Sequence, residues 1–144
     1  MKKIIEPQGC TNLKLRQLSR MVTRHYDYHV AECGLKNTQY ALLSVVLQLG
    51  PIRPSDLAKE MQMDASTLTR NMKPLIAKEW LKMRAGSDAR SRLVEITATG
   101  KAKRAEGEVL WQKAQRSLNE KFGIERVAVL HDLLDVCIES LDDQ

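Results

Sequence analysis

SDLAKEMQMDASTLTRNMKPLIAK, residues 55–78, decides how this 144-residue chain is read. It has the pattern of a short helix, a tight turn and a second helix with two unlike faces. Leu68, Met72, Leu75 and Ile76 form an apolar stripe, and at about 100° per residue Ser66, Arg70, Lys73 and Ala77 fall on the opposite side. That outer face is small, polar and basic, and Asp64 before it is a natural N-cap. The free N–H groups of Ala65, Ser66 and Thr67 then lie at a positive helix end suited to a phosphate. A helix of this kind fits a major groove.

Two local irregularities accompany it. The turn Met61-Gln62-Met63 lacks a glycine, so Gln62 is expected in the left-handed region at a cost of about 1 kcal/mol. Pro74 removes one backbone hydrogen bond from the second helix, which predicts either a bend there or another helix register.

Outward from this stretch the pattern is mainly helical. Residues 1–10 are an arm interrupted by Pro7 and Gly9, and Leu15, Leu18, Met21 or Val22, and Tyr26 predict a long helix from Thr11 to Cys33, with Gly34 as its stop. A second helix, with Thr38 as its cap, is so apolar that most of its circumference must be buried. Ile52 and Arg53 predict a minimal strand, and Pro54 presets the first short helix.

Downstream, Leu81, Met83 and Ala85 alternate with Lys82 and Arg84, and Val94 and Ile96 flank Glu95. With the polar loop 86–91 between them, these read as a two-stranded ribbon, the wing. Thr97 caps a helix to about Lys121, and a last helix runs from Ile124 to Leu141. Its apolar stripe includes Val127, Leu130, Leu134, Cys137 and Ile138 and is too wide for one neighbour, which implies a partner subunit.

The fold class is therefore mainly α with a small β-wing: a winged helix-turn-helix over residues 35–97, an arm and dimerisation helix over 1–34, and C-terminal dimerisation helices over 98–144. Composition agrees. Residues 51–100 carry 9 basic and 6 acidic side chains, whereas 101–144 carry 7 and 9, so the basic surface lies upstream of the last helices. Aromatic residues at 4% argue against a single-strand binder that stacks bases. No apolar run reaches about 18 residues and MKKIIEPQG lacks a signal-peptide core, so a cytoplasmic protein without membrane contact is expected. Three cysteines without CxxC spacing argue against a disulfide scaffold and a zinc finger.

At this point LRQLSRMVTRHYD (15–27), LKNTQYALLSVVLQLGPIRPSDLAKEMQMDASTLTRNMKPLIAKEWL (35–81), Asp88-Ala89-Arg90 and ITATG (96–100) together resemble the MarR family of bacterial transcription regulators. TLTRNMKPL and LWQKAQ are similar to one subgroup of it. The resemblance implies an obligate homodimer on a palindromic operator in double-stranded DNA, a repressor rather than an enzyme, with no cofactor. It also implies a small, often aromatic carboxylate effector that releases the DNA.

The residues supply matching roles. Ser66, Thr67, Arg70, Asn71 and Lys73 are expected in the groove, where Arg forks to guanine and Asn to adenine. Ser55 suits a phosphate. By the family pattern Arg90 enters the minor groove and Asp88 orients it, with Arg92, Lys82 and Arg84 neutralising the backbone. Arg16 and Arg20, one turn apart, are candidates for an effector carboxylate, and Trp111 for a flat wall beside it.

Other chemistry is weaker in the sequence. Cys10, near a helix start, is a redox candidate, although Asn12 occupies the position matching the family's sensor cysteine. His25, His29 and Cys33 align along one helix face, but the first and third are about 12 Å apart by helical rise, so only the two histidines remain metal candidates. Cys137 reads as packing. A non-specific architectural DNA binder would share the basic face, and a Cys/His enzyme would need a nucleophile motif that His25, His29 and His131 do not provide.

Overall fold

The computed structural model describes residues 5–88 and 90–142; residues 1–4 of the arm, Ala89 in the wing tip and residues 143–144 fall outside it. Along the described residues run α1 (Thr11–Val30), a 3-10 turn (Ala31–Cys33), α2 (Asn37–Leu49), α3 (Pro54–Glu60) and α4 (Ala65–Ala77). Then come β1 (Leu81–Ala85), β2 (Arg92–Ile96), α5 (Ala98–Phe122) and α6 (Ile124–Leu141). This is the expected class: helices with one small antiparallel sheet.

The core lies around α2. Its Leu42, Leu43 and Val46 are buried against Leu57 of α3, Leu68 and Leu75 of α4, Leu81 of β1 and Val94 of β2. Removing each such leucine from water contributes about 1.5–3 kcal/mol, so α3, α4 and the wing are held as one unit. β1 pairs with β2 from Leu81↔Ile96 to Ala85↔Arg92. The minimal strand expected at Ile52-Arg53 shrinks to one bridge, Ile52↔Val94, because Arg53 already caps α3.

The helix ends differ from expectation in instructive ways. α1 stops at Val30, and its last three predicted residues tighten into the 3-10 turn before Gly34 takes φ 83°. Thr38 does not cap α2. The helix starts at Asn37, whose N–H donates to Asp27 Oδ1 of α1 at 2.6 Å, so a carboxylate distant in sequence does the capping.

Gln62 has φ 54°, as its turn requires, and Glu79 repeats the device with φ 61°. In both places a six-residue wrap closes the helix, Met63 N–H to Ala58 C=O at 2.8 Å and Trp80 N–H to Leu75 C=O at 2.9 Å. Pro74 neither breaks nor shortens α4, which continues to Ala77 with Lys78 N–H bonded to the Pro74 carbonyl at 3.1 Å. Its ring sits on the exposed side, where the missing bond meets water.

α5 crosses the start of β1 and the flank of α2 at two glycines. A methyl on Gly100 would lie 2.1 Å from the Trp80 carbonyl oxygen, and one on Gly107 would lie 2.9 Å from the Tyr40 ring. Beyond them α6 stands largely uncovered: only Val127 is buried, and Leu134, Cys137, Ile138 and Leu141 of its expected stripe are exposed. Among the described residues no helix is long and apolar enough to cross a membrane.

Candidate nucleic-acid interface

The second helix of the turn unit, α4, is built as its pattern requires. Leu68, Met72 and Leu75 are buried, whereas Ser66, Thr69, Arg70, Lys73 and Ala77 are exposed. Asp64 caps it: Oδ1 accepts the Thr67 N–H at 2.8 Å and the Ser66 hydroxyl at 3.0 Å. Hydrogen bonds from Thr67, then from Ser66, hold the Asp64 carboxyl below its ordinary range. The N-terminus is therefore already served by an anion, which corrects the expectation of a phosphate on the Thr67 amide.

Two assignments on this helix change. Asn71 is half-buried and its Nδ2 points at Met63 Sδ, 3.7 Å away, because its position turns toward the inter-helix turn and away from the outer face. Thr69, absent from the sequence-based set, is exposed on that face, with its hydroxyl donating to the Ala65 carbonyl at 2.9 Å. Thr67 is half-buried. Ser55, second residue of α3, is exposed.

A small polar cleft lined by Lys36, Thr38, Gln39, Asn71 and Pro74 borders α4 on one side. The start of α2 thus extends the polar surface. Nothing in the local sequence marks this, since it depends on how α2 packs across α4.

On the other side stands the wing. Lys82 and Arg84 both pair with Glu95, each at 3.3 Å, so one carboxylate already offsets half of the cationic pair expected to neutralise a backbone. Asp88 does not grip the Arg90 side chain. Its Oδ1 accepts the backbone N–H groups of Arg90 at 2.8 Å and Ser91 at 2.9 Å, bonds that also hold its carboxyl below the ordinary range. Asp88 thus fixes the loop, and the loop presents Arg90. Arg90 and Arg92 are exposed and, among the described residues, form no salt bridge. A methyl on Gly86 would meet Ser91 Oγ at 2.3 Å, so a larger residue there would make the Ser91 hydroxyl turn away.

The effector, redox and metal candidates lie on the long helices. Arg16 and Arg20 are exposed on α1, whereas Trp111 is stacked between Tyr26 and Tyr40, at centroid distances of 6.5 and 6.0 Å. A single chain does not bring the three into one pocket wall. A cavity of about 250 Å³ between α1, α5 and α6 includes Leu18, Tyr26, Gln115, Leu130 and His131 in its lining and none of these three.

Cys10 is the N-cap of α1, exposed, with Sγ accepting the Leu13 N–H at 3.5 Å. His25 Nε2 lies 2.9 Å from the Ala114 carbonyl, and His29 Nδ1 lies 3.0 Å from the His25 carbonyl. Each ring thus uses one nitrogen on the backbone. Among the described residues no three His, Cys, Asp or Glu side chains gather as a metal site. Cys137, read as a packing residue, is exposed in the single chain on the uncovered apolar face of α6.

A buried turn-helix pair, a protruding basic helix face and a flanking ribbon define a winged helix-turn-helix protein. The sequence model of the MarR family matches residues 35–91. A helix-turn-helix-type transcriptional regulator of Bacillus subtilis, YwoH, is 26% identical over 109 residues, 76% of this chain and 80% of its own.

Among solved structures, the Mycobacterium tuberculosis regulator MosR in complex with DNA is similar with a TM-score of 0.73 and 28% identity, covering 90% of this chain and 98% of that one. A mutant of Escherichia coli MarR complexed with operator DNA has a TM-score of 0.79 at 22% identity, covering 88% and 92%. Residues 35–91 thus match the MarR family of transcriptional regulators, and the fold is shared with the solved regulators MosR and MarR. The matched family is one of transcriptional regulators, and the fold is that of the solved regulators.

Proposed function

We propose that the chain acts as a homodimer that binds a palindromic operator in double-stranded DNA and represses transcription until a small molecule releases it. The observation that carries the DNA reading is α4 itself, whose inner face is locked in the core while Arg70 and Lys73 stand exposed on the outer face. A rigid, cationic helix of this length suits the major groove, with the Asp88-fixed loop presenting Arg90 to the neighbouring minor groove. That MosR and E. coli MarR have been solved with DNA supports this reading.

Dimerisation is supported by uncovered apolar surface. Val129, Leu133 and Val136 on α6 are 58%, 59% and 59% exposed, and Leu13 and Met21 on α1 are 52% and 58% exposed. Patches of this kind mark interfaces. On this reading residues 1–34 and 98–144 pair two copies, and residues 35–97 read the DNA.

The effector is read as an aromatic carboxylate that binds one spacing of the two reading units better than the other, since only such a difference can shift the equilibrium. Arg16 and Arg20 serve it only where a second chain closes over α1.

Light scattering and duplex titration test the core of this. A dimer that prefers a promoter fragment over scrambled DNA at one fixed salt concentration is expected. Equal affinity for both duplexes favours an architectural binder, and a monomer indifferent to DNA overturns the proposal. Melting-temperature screening against aromatic carboxylates, zinc and peroxide identifies the releasing signal.

A further inference from the structure

The hydroxyl groups on the outer face of α4 are committed to the helix itself. Ser66 donates its one proton to Asp64 Oδ1 at 3.0 Å, and Thr69 donates its own to the Ala65 carbonyl at 2.9 Å. Neither has a proton left for an acceptor on a base. Asn71, the one side chain able to pair with adenine through two bonds, is half-buried with Nδ2 directed at Met63 Sδ.

What remains on the face is two kinds of group. Arg70 and Lys73 are exposed donors without a salt bridge among the described residues. Around them is carbon: Thr69 is exposed with its hydroxyl folded back on Ala65, which leaves its γ-methyl as the group it can offer, and Ala77 and Pro74 are exposed as well. In the major groove the matching partners are the O6 and N7 acceptors of guanine and the C5 methyl of thymine.

We infer that α4 recognises guanine through Arg70 and a neighbouring thymine through the γ-methyl of Thr69, and that Asn71 does not read adenine. Thr69 and Arg70 are consecutive, about 1.5 Å apart along the helix axis, so the two contacts fall within one short segment of a site. The inference rests on the DNA reading proposed above and names what that surface selects.

The test uses the full chain and duplexes it selects from a random pool. In the tightest of these, each thymine is replaced singly by deoxyuridine, which lacks only the C5 methyl. At least one position should lose about fourfold in affinity, the cost of one methyl-sized apolar contact. Thr69→Ser keeps the hydroxyl and its bond to Ala65 but removes the methyl, so it should bind the thymine duplex about as weakly and stop distinguishing deoxyuridine. Thr69→Val keeps the methyl and should still distinguish them. Asn71→Ala should select the same sequence.

No loss at any deoxyuridine, or a loss unchanged in Thr69→Ser, overturns the thymine assignment while the DNA reading stands. An adenine preference that vanishes in Asn71→Ala overturns the exclusion of that residue. Failure to select any duplex sinks both readings.

Discussion

Gln62 Nε2 donates a 2.9 Å hydrogen bond to Asp142 Oδ1, a residue 80 positions away that caps the C-terminal end of α6. It joins the last helix directly to the strained turn that aims α4. Both side chains are exposed, so water competes for the bond and its net worth to global stability is small. Asp142→Ala should therefore move the thermal midpoint by no more than about 3 °C. Amide exchange at Met61, Gln62 and Met63 should nevertheless accelerate, and unchanged exchange there would show that the bond does not restrain the turn.

Glu79 holds φ 61° without being a glycine. Glycine removes the clash between Cβ and the following carbonyl at such a position, and Glu79 is exposed, so no packing is lost. Glu79→Gly should raise stability by about 1 kcal/mol. Gln62→Gly should gain less, because it also deletes the bond to Asp142. Urea unfolding of the pair checks the order.

Gly100 lies where α5 starts beneath β1, and a side chain there meets backbone rather than a yielding side chain. Gly100→Ala should cost about 1–3 kcal/mol, the range for forcing a methyl into a filled core. A urea midpoint equal to that of the unmodified chain would contradict this geometry.

Asp64 titrates below the ordinary carboxylate because Thr67 and Ser66 bond its charged form. With the folded value depressed, its contribution is present above the unfolded carboxylate value of about 3.9 and is lost as pH falls through the folded one. Asp64→Asn still caps the helix but has no charge to lose. Between pH 4 and pH 2 its urea midpoint should fall less steeply than that of the natural chain.

Glu95 holds both Lys82 and Arg84, whereas Arg90 and Arg92 have no such partner among the described residues. On the proposed DNA reading, Arg90→Ala should weaken binding uniformly across sequences and reduce the salt slope by about 1. Glu95→Gln should do the opposite, releasing two cations to the backbone and steepening the slope. Titrations at four salt concentrations separate the two effects.

Much of this was legible from spacing alone. The inner face of α4, the start of α3 beside Pro54, the two strands of the wing and the boundaries of α6 follow from periodicities of 3.6 and 2 with their proline, glycine and threonine punctuation. The left-handed Gln62 follows from a tight turn that lacks a glycine.

What sequence could not supply was tertiary. Asp27 capping α2, Glu95 drawing in both wing cations and Asn71 turning toward Met63 each depend on a neighbour brought close by packing. Spacing alone leaves Thr69 at the edge of the outer face on a helical wheel, where exposure is decided by the surrounding helices. Arg16, Arg20 and Trp111 share a chemistry suited to one ligand, but the flanking of Trp111 by Tyr26 and Tyr40 depends on how α1, α2 and α5 pack.

That enclosure has a practical side. Tyr26, Trp111 and Tyr40 come from α1, α5 and α2 in turn, so the indole links three helices, and on the proposed dimer reading the tilt of these helices sets the separation of the two reading units. The chain has only one other tryptophan, Trp80, between the ammonium groups of Lys78 and Lys103. With Trp80 replaced by phenylalanine, the emission of Trp111 becomes an optical gauge built into the molecule, and any signal that reshapes the protein announces itself without a label.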